Sequence, residues 1–232
     1  MTHEPPAAEP SGPRQMLATL RPQTYGKRSA GSIRDPIVEP LWTGLRALAG
    51  VDAAGAAIVD SDGAAIGGME LVLHALAAAS QSDDLVVDGY LTRQSIGGGG
   101  GDFWAGDMPS MGALVGLRRK RPVDPLDLTE TALEASAFGP DDEVMFVAID
   151  LLWLDGTSLL DVPLLERRRL LQGILVESDA VRLGVFVRPP IDSWVGSWRA
   201  QGFNGLTFKA ANSRYLPGEP NPDWVVSGMP RR

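Results

Sequence analysis

Three lysines stand in the 232 residues, Lys27, Lys120 and Lys209. Any mechanism that gathers lysines around a polyphosphate must draw on those. There are two histidines, His3 and His74, and no cysteine. A serine–histidine triad or a histidine metal site has almost nothing to be built from, and thiolate zinc sites, cysteine nucleophiles and disulfide frameworks are excluded. Asp60, Asp62 and Glu70 superficially suggest a calcium loop. The glycine is at the fourth position instead of the sixth, and Glu70 falls one residue short of the twelfth, so a hairpin turn is expected and no metal site. Five glycines run from Gly97 to Gly101, but phosphate cradling needs a strand before and a helix directly after. Asp102-Phe103-Trp104 follows without a lysine, and the run reads as a mobile loop. Arg118-Arg119-Lys120-Arg121 and Arg167-Arg168-Arg169 are the candidates for touching phosphate, solvated surface being the ordinary role of such clusters.

The bulk charge limits the partners. Lys+Arg 21 against Asp+Glu 29 leaves a formal net charge of −8, which excludes a strongly basic nucleic-acid footprint and leaves only local patches. Hydrophobic residues make up 44% and mean hydropathy is near zero, ordinary globular values. No apolar run reaches the roughly 18 residues of a membrane span. Met1 to Pro13 is proline-rich and acidic, without a basic or apolar leader, so a cytoplasmic protein is expected.

These residues must be positioned by a modest set of elements. Residues 1–32 mix Pro, Ala, Ser, Gly and charge without periodicity and read as a flexible arm, with Met16 to Leu20 as a short segment able to dock. A domain over 33–228 follows. Leu45–Val51 and Ala56–Asp60 read as paired strands, Met69–Ser80 as a helix carrying His74, and Asp84–Thr92 as a strand covered on both faces. Glu143–Leu154 is the strongest strand in the sequence and ends at an Asp155-Gly156 turn. Asp161 is a plausible N-cap for a helix from Pro163 to about Val176, with Leu164, Leu165, Leu170, Leu171 and Ile174 on one face and the three arginines opposite. Leu183–Val187 reads as a strand, and Asp192–Gln201 as a helix whose Trp194 and Trp198 pack at i, i+4. Leu206–Lys209 and Trp224–Val226 read as closing strands. Hairpin links outnumber βαβ units, so the class is α+β with mainly antiparallel sheets flanked by helices.

Read in order, five segments resemble the adenylation domain of bacterial-type ATP-dependent DNA ligases. Ile149-Asp150-Leu151-Leu152-Trp153-Leu154-Asp155-Gly156, with Pro163-Leu164-Leu165-Glu166-Arg167-Arg168 after it, is similar to F-D-L-L-x-L-D-G and the helix that follows. Asn204-Gly205-Leu206-Thr207-Phe208-Lys209 resembles E-G-[LIV]-[VM]-x-K. Ser213 to Gly218, with Pro222-Asp223-Trp224, resembles the approach to W-x-K-x-K. Glu39-Pro40-Leu41-Trp42-Thr43-Gly44-Leu45-Arg46 lies where the family has E-P-K-x-D-G-x-R, and Asp88-Gly89-Tyr90 where it has D-G-E. The order, over about residues 15 to 226, makes the resemblance specific.

The departures are systematic. The resemblance places the lysine that attacks the α-phosphate of ATP at Leu41, and a hydrocarbon cannot attack phosphorus. The next aspartate is Thr43, the glutamate of D-G-E is Tyr90, the metal-side glutamate is Asn204, and the two phosphate-facing lysines are Val226 and Gly228. The aromatic that would stack on adenine is Ile149. What survives is scaffold, plus Arg46 and Lys209. Lys209 is expected to lack the neighbouring cations or tuned desolvation that a replacement nucleophile would need. With Trp224 close to Arg232, the OB-fold that follows in the family's ligases is not expected within this sequence.

The resemblance therefore implies an ATP-grasp-like DNA ligase nucleotidyltransferase fold, without an OB-fold domain, that has lost self-adenylation and serves binding or scaffolding. No catalytic residue is assigned, and Glu39, Trp42, Arg46, Tyr90, Ile149 and Lys209 are the candidate nucleotide-pocket residues. A protein partner is expected, with at most weak DNA contact and no membrane. ATP and Mg2+ enter only under the alternative, an active ligase relative in DNA repair or recombination with an unusual nucleophile or a partner-supplied OB module. A nucleotide or small-molecule sensor with a pocket lined by Leu41, Trp42, Tyr90 and Ile149 is the third reading.

Overall fold

The computed structural model describes residues 12–94 and 144–230. The glycine run 97–101, the basic cluster 118–121 with its Lys120, His3 and residues 1–11 of the expected arm lie outside the described residues. In chain order the elements are α1 (Pro13–Thr19), β1 (Thr24–Tyr25), β2 (Pro36–Pro40), β3 (Leu45–Asp52), β4 (Gly55–Asp60), α2 (Glu70–Ala79), β5 (Leu85–Thr92) and β6 (Met145–Leu154). There follow β7 (Thr157–Ser158), α3 (Leu164–Ile174), β8 (Val181–Leu183), α4 (Asp192–Ala200), β9 (Gly205–Ala210), β10 (Pro220–Asn221) and β11 (Trp224–Gly228).

A large sheet runs β4-β3-β5-β6-β7, with β8 joined parallel to β6 and every other pairing antiparallel. A smaller antiparallel sheet has the order β11-β9-β2. Two residues of β1 pair in parallel with β10. Among the described residues no helix is long and apolar enough to cross a membrane.

Side-chain alternation divides the large sheet into two faces. Ala47, Ala49, Val51, Leu85, Val87, Leu91 and Phe146 pack under α2 and α3, against Val72, Leu76 and Leu171. Leu48, Val86 and Leu152 turn the other way, toward α1 and the small sheet. Both faces of β5 are thus covered, and all eight of its residues are buried, as its near-continuous apolar run requires. The suspected calcium loop is a turn: Asp60 Oδ1 accepts hydrogen bonds from the backbone N–H of Asp62 (2.9 Å) and Ala64 (2.8 Å). His74 is an exposed residue on α2.

Four expectations need correction. Met16 to Leu20 docks as expected, α1 burying Met16 and Leu17 with Leu20 in the same cluster, but the order extends beyond it, with Arg14 paired to Asp52 at 2.8 Å and Thr24–Tyr25 paired to β10, so residues 12–32 are not a flexible arm. Gly50 on β3 makes this docking feasible, because a Cβ there would meet Leu17 Cδ1 at 3.0 Å. Asp161 is not a cap; Pro163 holds the N-cap position without a side-chain bond, and exposed Asp161 pairs with Arg214 at 3.2 Å. The arginines of α3 are not all on its outer face, since Arg167 and Arg168 are buried while Leu170 is exposed. The strand expected at 183–187 is shifted to Val181–Leu183, where β6 supplies a parallel partner; Val187 makes only a lone bridge to Val38. Trp194 and Trp198 pack as expected, at 5.9 Å.

Candidate functional site

The two sheets meet across a space lined by two ion pairs, each created by strand register. On β3 and β5, Arg46 lies opposite Tyr90 and Leu48 opposite Asp88, which makes Arg46 and Asp88 diagonal neighbours on one face. The guanidinium donates to both carboxylate oxygens, Nε to Oδ1 at 2.5 Å and Nη2 to Oδ2 at 2.6 Å, a bidentate fork. On β2 and β9, Glu39 lies opposite Thr207 and Ile37 opposite Lys209, and again the diagonal pair is charged. Lys209 Nζ donates to Glu39 Oε2 at 2.5 Å, and both side chains are buried. Nζ also sits 4.1 Å over the Trp224 ring.

Tyrosines complete the arrangement. The chain has three, and all converge on the Arg46–Asp88 pair. Tyr90 Oη accepts from Arg46 Nη1 at 2.7 Å, Tyr25 Oη lies 3.3 Å from Tyr90 Oη, and Tyr215 Oη donates to Asp88 Oδ2 at 2.6 Å. The backbone N–H of Gln23 donates to Tyr215 Oη at 3.2 Å. Burial, with Tyr90 next to it, pushes the Tyr25 hydroxyl pKa well above its usual value; burial and the Asp88 carboxylate do the same to Tyr215. Burial opposes the charge on Arg46, but the Asp88 carboxylate and Tyr90 outweigh it and hold the guanidinium pKa well above its ordinary value. Lys209 goes the other way and corrects the expectation that it lacks neighbouring cations and desolvation. Burial lowers its pKa, Glu39 opposes the shift, and nearby Arg46 and Arg168 reinforce it.

A third pair fixes α3 to the large sheet. Arg167 donates from Nε to Asp150 Oδ1 at 2.8 Å and from Nη2 to Oδ2 at 2.7 Å, with both side chains fully buried. Its Nη1 donates to the carbonyls of Val162 and Ser213. Arg168 donates to the carbonyls of Ala148 and Gly184 and lies 3.9 Å from Glu39 Oε1.

The six expected pocket residues come together, but as packed interior. Trp42, Tyr90 and Ile149 share an apolar cluster with Val38, Val147, Trp198, Phe203 and Leu206. Trp42 meets Phe203 edge-on at 5.1 Å. Ile149 is fully buried, and the backbone of Gly184 closes on it: a Cβ there would lie 2.9 Å from Ile149 Cγ2. Leu41 is buried and approaches Gly205 in the same manner, 2.9 Å from a Cβ built there to Leu41 Cδ2. Thr43 and Asn204 are exposed instead, with Thr43 Oγ1 bonded to Gln94 at 2.8 Å. Gly89 survives for packing, since a Cβ there would come within 2.4 Å of the Val147 carbonyl oxygen. Gly44 survives for conformation, at φ +135.

Sequence reasoning missed Tyr25, Tyr215, Asp88 and Arg168 as members of this site. For Tyr25 and Tyr215 no local pattern signals it, because the partners lie 65 and 127 residues away. For Arg168 the signal was present in the spacing of α3. Cations and carboxylates do converge here, and each cation faces an acceptor of this chain: Arg46 on Asp88, Lys209 on Glu39, and Arg168 on two backbone carbonyls.

Residues 118–225 match the family described as ATP dependent DNA ligase domain. The "Multifunctional non-homologous end joining DNA repair protein LigD" of Mycobacterium tuberculosis is 37% identical over 89 residues, which is 38% of this chain and 11% of that protein. A "DNA ligase" of Methanocorpusculum labreanum is 32% identical over 76 residues, 33% of this chain and 14% of its own length. The match thus spans only a small part of these relatives. The solved ligase domain of M. tuberculosis LigD superposes with a TM-score of 0.61 at 21% identity, over 91% of this chain and 60% of that one. A mycobacterial DNA ligase D complexed with ATP and MES gives 0.62 at 21% identity and the same coverage. The chain has the α+β nucleotidyltransferase fold of the DNA ligases.

Proposed function

We propose that this chain is a DNA ligase-like nucleotidyltransferase domain that does not self-adenylate and serves as a cytoplasmic binding or scaffolding module in DNA repair. The observation that carries the reading is Leu41, a buried hydrocarbon at the position the ligase resemblance gives to the attacking lysine. The repair setting rests on the likeness to multifunctional end-joining proteins, and the module's partner is a protein. Weak DNA contact fits the surface: Arg14, Arg28, Arg169, Arg182, Arg188 and Arg214 are each paired with a carboxylate of the chain itself. Phosphate would have to displace those partners to release counterions of its own.

One observation favours a second reading, an active relative with Lys209 as nucleophile. Burial and the two neighbouring arginines lower the Lys209 pKa, which is the tuning a free amine needs. Against it, Nζ is fully buried and held by Glu39 at 2.5 Å. The experiment is incubation with α-labelled ATP and Mg2+, followed by denaturing electrophoresis. No label is expected on the chain. A stable label lost in Lys209→Ala establishes the second reading instead.

A further inference from the structure

We infer that the space between the two sheets, at the positions the ligase resemblance assigns to nucleotide and metal, is a closed joint in this protein and takes neither a nucleoside triphosphate nor Mg2+. The inference deepens the proposed function and rests on it. A bound triphosphate brings several negative charges and a divalent cation that itself needs oxygen ligands. Here the cations are already used: Lys209 by Glu39, Arg46 by Asp88 and Tyr90, and Arg168 by two backbone carbonyls. For either paired cation to turn to phosphate, a buried carboxylate must give up its closest cation, Glu39 keeping only Arg168 at 3.9 Å and Asp88 only the Tyr215 hydroxyl at 2.6 Å, and breaking a buried pair on one side is destabilising.

The carboxylates are committed in the same way. Both oxygens of Asp88 and both of Asp150 receive guanidinium donors, with Tyr215 and the Leu151 N–H adding to them. Among the described residues no group of three His, Asp or Glu side chains could hold a metal ion. The apolar end is filled as well, with Ile149 pressed under Gly184 and Trp42 against Phe203. Glu39 Oε1, Thr207 Oγ1, Arg168 Nε and Trp42 Nε1 are buried without a partner, but these are single donors and acceptors and not a free cation cluster. Each ion pair ties neighbouring strands of one sheet, while Tyr25 from β1 and Tyr215 from the loop before β10 bond to Tyr90 and Asp88 of the large sheet, and Arg168 of α3 lies 3.9 Å from Glu39 of the small one.

The test is the melting temperature of the intact chain with and without millimolar ATP and Mg2+, for the wild type, Lys209→Met and the double variant Glu39→Met/Lys209→Met. No nucleotide-dependent shift is expected in the wild type. Lys209→Met is expected to melt lower, because Glu39 then keeps only Arg168, 3.9 Å away, and the double variant to recover more than half of that loss. A saturable rise with ATP in the wild type that vanishes in Lys209→Met overturns the inference, as does Lys209→Met melting at the wild-type temperature. A saturable rise that persists in Lys209→Met overturns it as well, because Arg46 and Arg168 line the same space. If Lys209→Met does not fold, calorimetric titration of ATP into the unmodified chain decides, heat of saturable binding overturning the inference. Binding without a covalent label removes this inference alone; a covalent label removes the proposed function.

Discussion

Replacing Asp150 by Asn is expected to be among the most damaging single changes in the chain. Asp150 and Arg167 are both fully buried, and their two hydrogen bonds measure 2.8 and 2.7 Å. The asparagine has nearly the same shape, so no cavity forms and the change isolates charge. Arg167 keeps its bonds to the Val162 and Ser213 carbonyls but loses its counter-charge. Two unit charges about 4 Å apart at an effective dielectric of about 20 attract by about 4 kcal/mol, and breaking a buried pair on one side typically costs about 3–5 kcal/mol. For a chain of this size that corresponds to a fall in Tm of roughly 6–20 °C. Urea unfolding followed by tryptophan fluorescence, checked by circular dichroism, measures it. The companion is Asp150→Leu/Arg167→Met, which removes both charges and is expected to recover most of the loss. A loss below about 1 kcal/mol for Asp150→Asn, beneath the range for a buried pair, refutes the reasoning. So does a double variant no better than the single.

Three further outcomes follow from the same structure. Tyr25 and Tyr215 hold their protons above pH 10.0 in the folded chain while unfolded tyrosine ionises near it, so stability contributed by these groups is present below that pH and lost as pH rises beyond it; in a Tyr90→Phe background, tyrosinate absorbance from these two should appear together with unfolding and not before. Leu41→Lys alone should give no adenylate on the labelling gel, because Thr43, Tyr90, Asn204, Val226 and Gly228 remain and each lost preorganised contact typically costs about 10²–10³ in rate; strong labelling of the single variant would show a competent pocket. Gly89→Ala should destabilise by about 1–3 kcal/mol or more, because its methyl group would come within 2.4 Å of the Val147 carbonyl and 2.5 Å of Phe146 Cζ; equal urea midpoints for variant and wild type would contradict the packing argument.

The strands were legible because their signals are local. Runs such as Met145–Leu154 and the turn at Asp155-Gly156 carry their own pattern, as do β3 and β4 around Asp52 and Gly55. The site was legible only where it coincided with motif positions. In α3 the buried residues Leu164, Arg167, Arg168 and Leu171 fall at i, i+3, i+4 and i+7, the spacing of an inward stripe. Reading by residue type sent the arginines to solvent, whereas the period alone sends two of them inward. Their burial is feasible only because Asp150 and the carbonyls of Ala148 and Gly184 wait there. Residues 12–32 failed for a different reason: their proline- and glycine-rich composition describes an isolated segment, and their order comes from partners distant in sequence, Asp52 and Gly50 of β3 for α1 and Asn221 and β10 for Gln23 and β1.

That last feature has a consequence for how the chain is made. The Gln23 amide oxygen accepts from Asn221 Nδ2 across 198 residues, and β1 has its strand partner only in β10. At about 5–20 residues per second of synthesis, Gln23 waits roughly 10–40 s before Asn221 exists. Through that interval the large sheet can close under α2 and α3, while Tyr25 has no strand to lie beside and Asp88 lacks the Tyr215 hydroxyl. Such long-range closure also slows the search once the chain is free. A ribosome stalled before the segment around Arg214–Asn221 should display the stretch around Gln23 and Tyr25 to proteases that the finished protein resists.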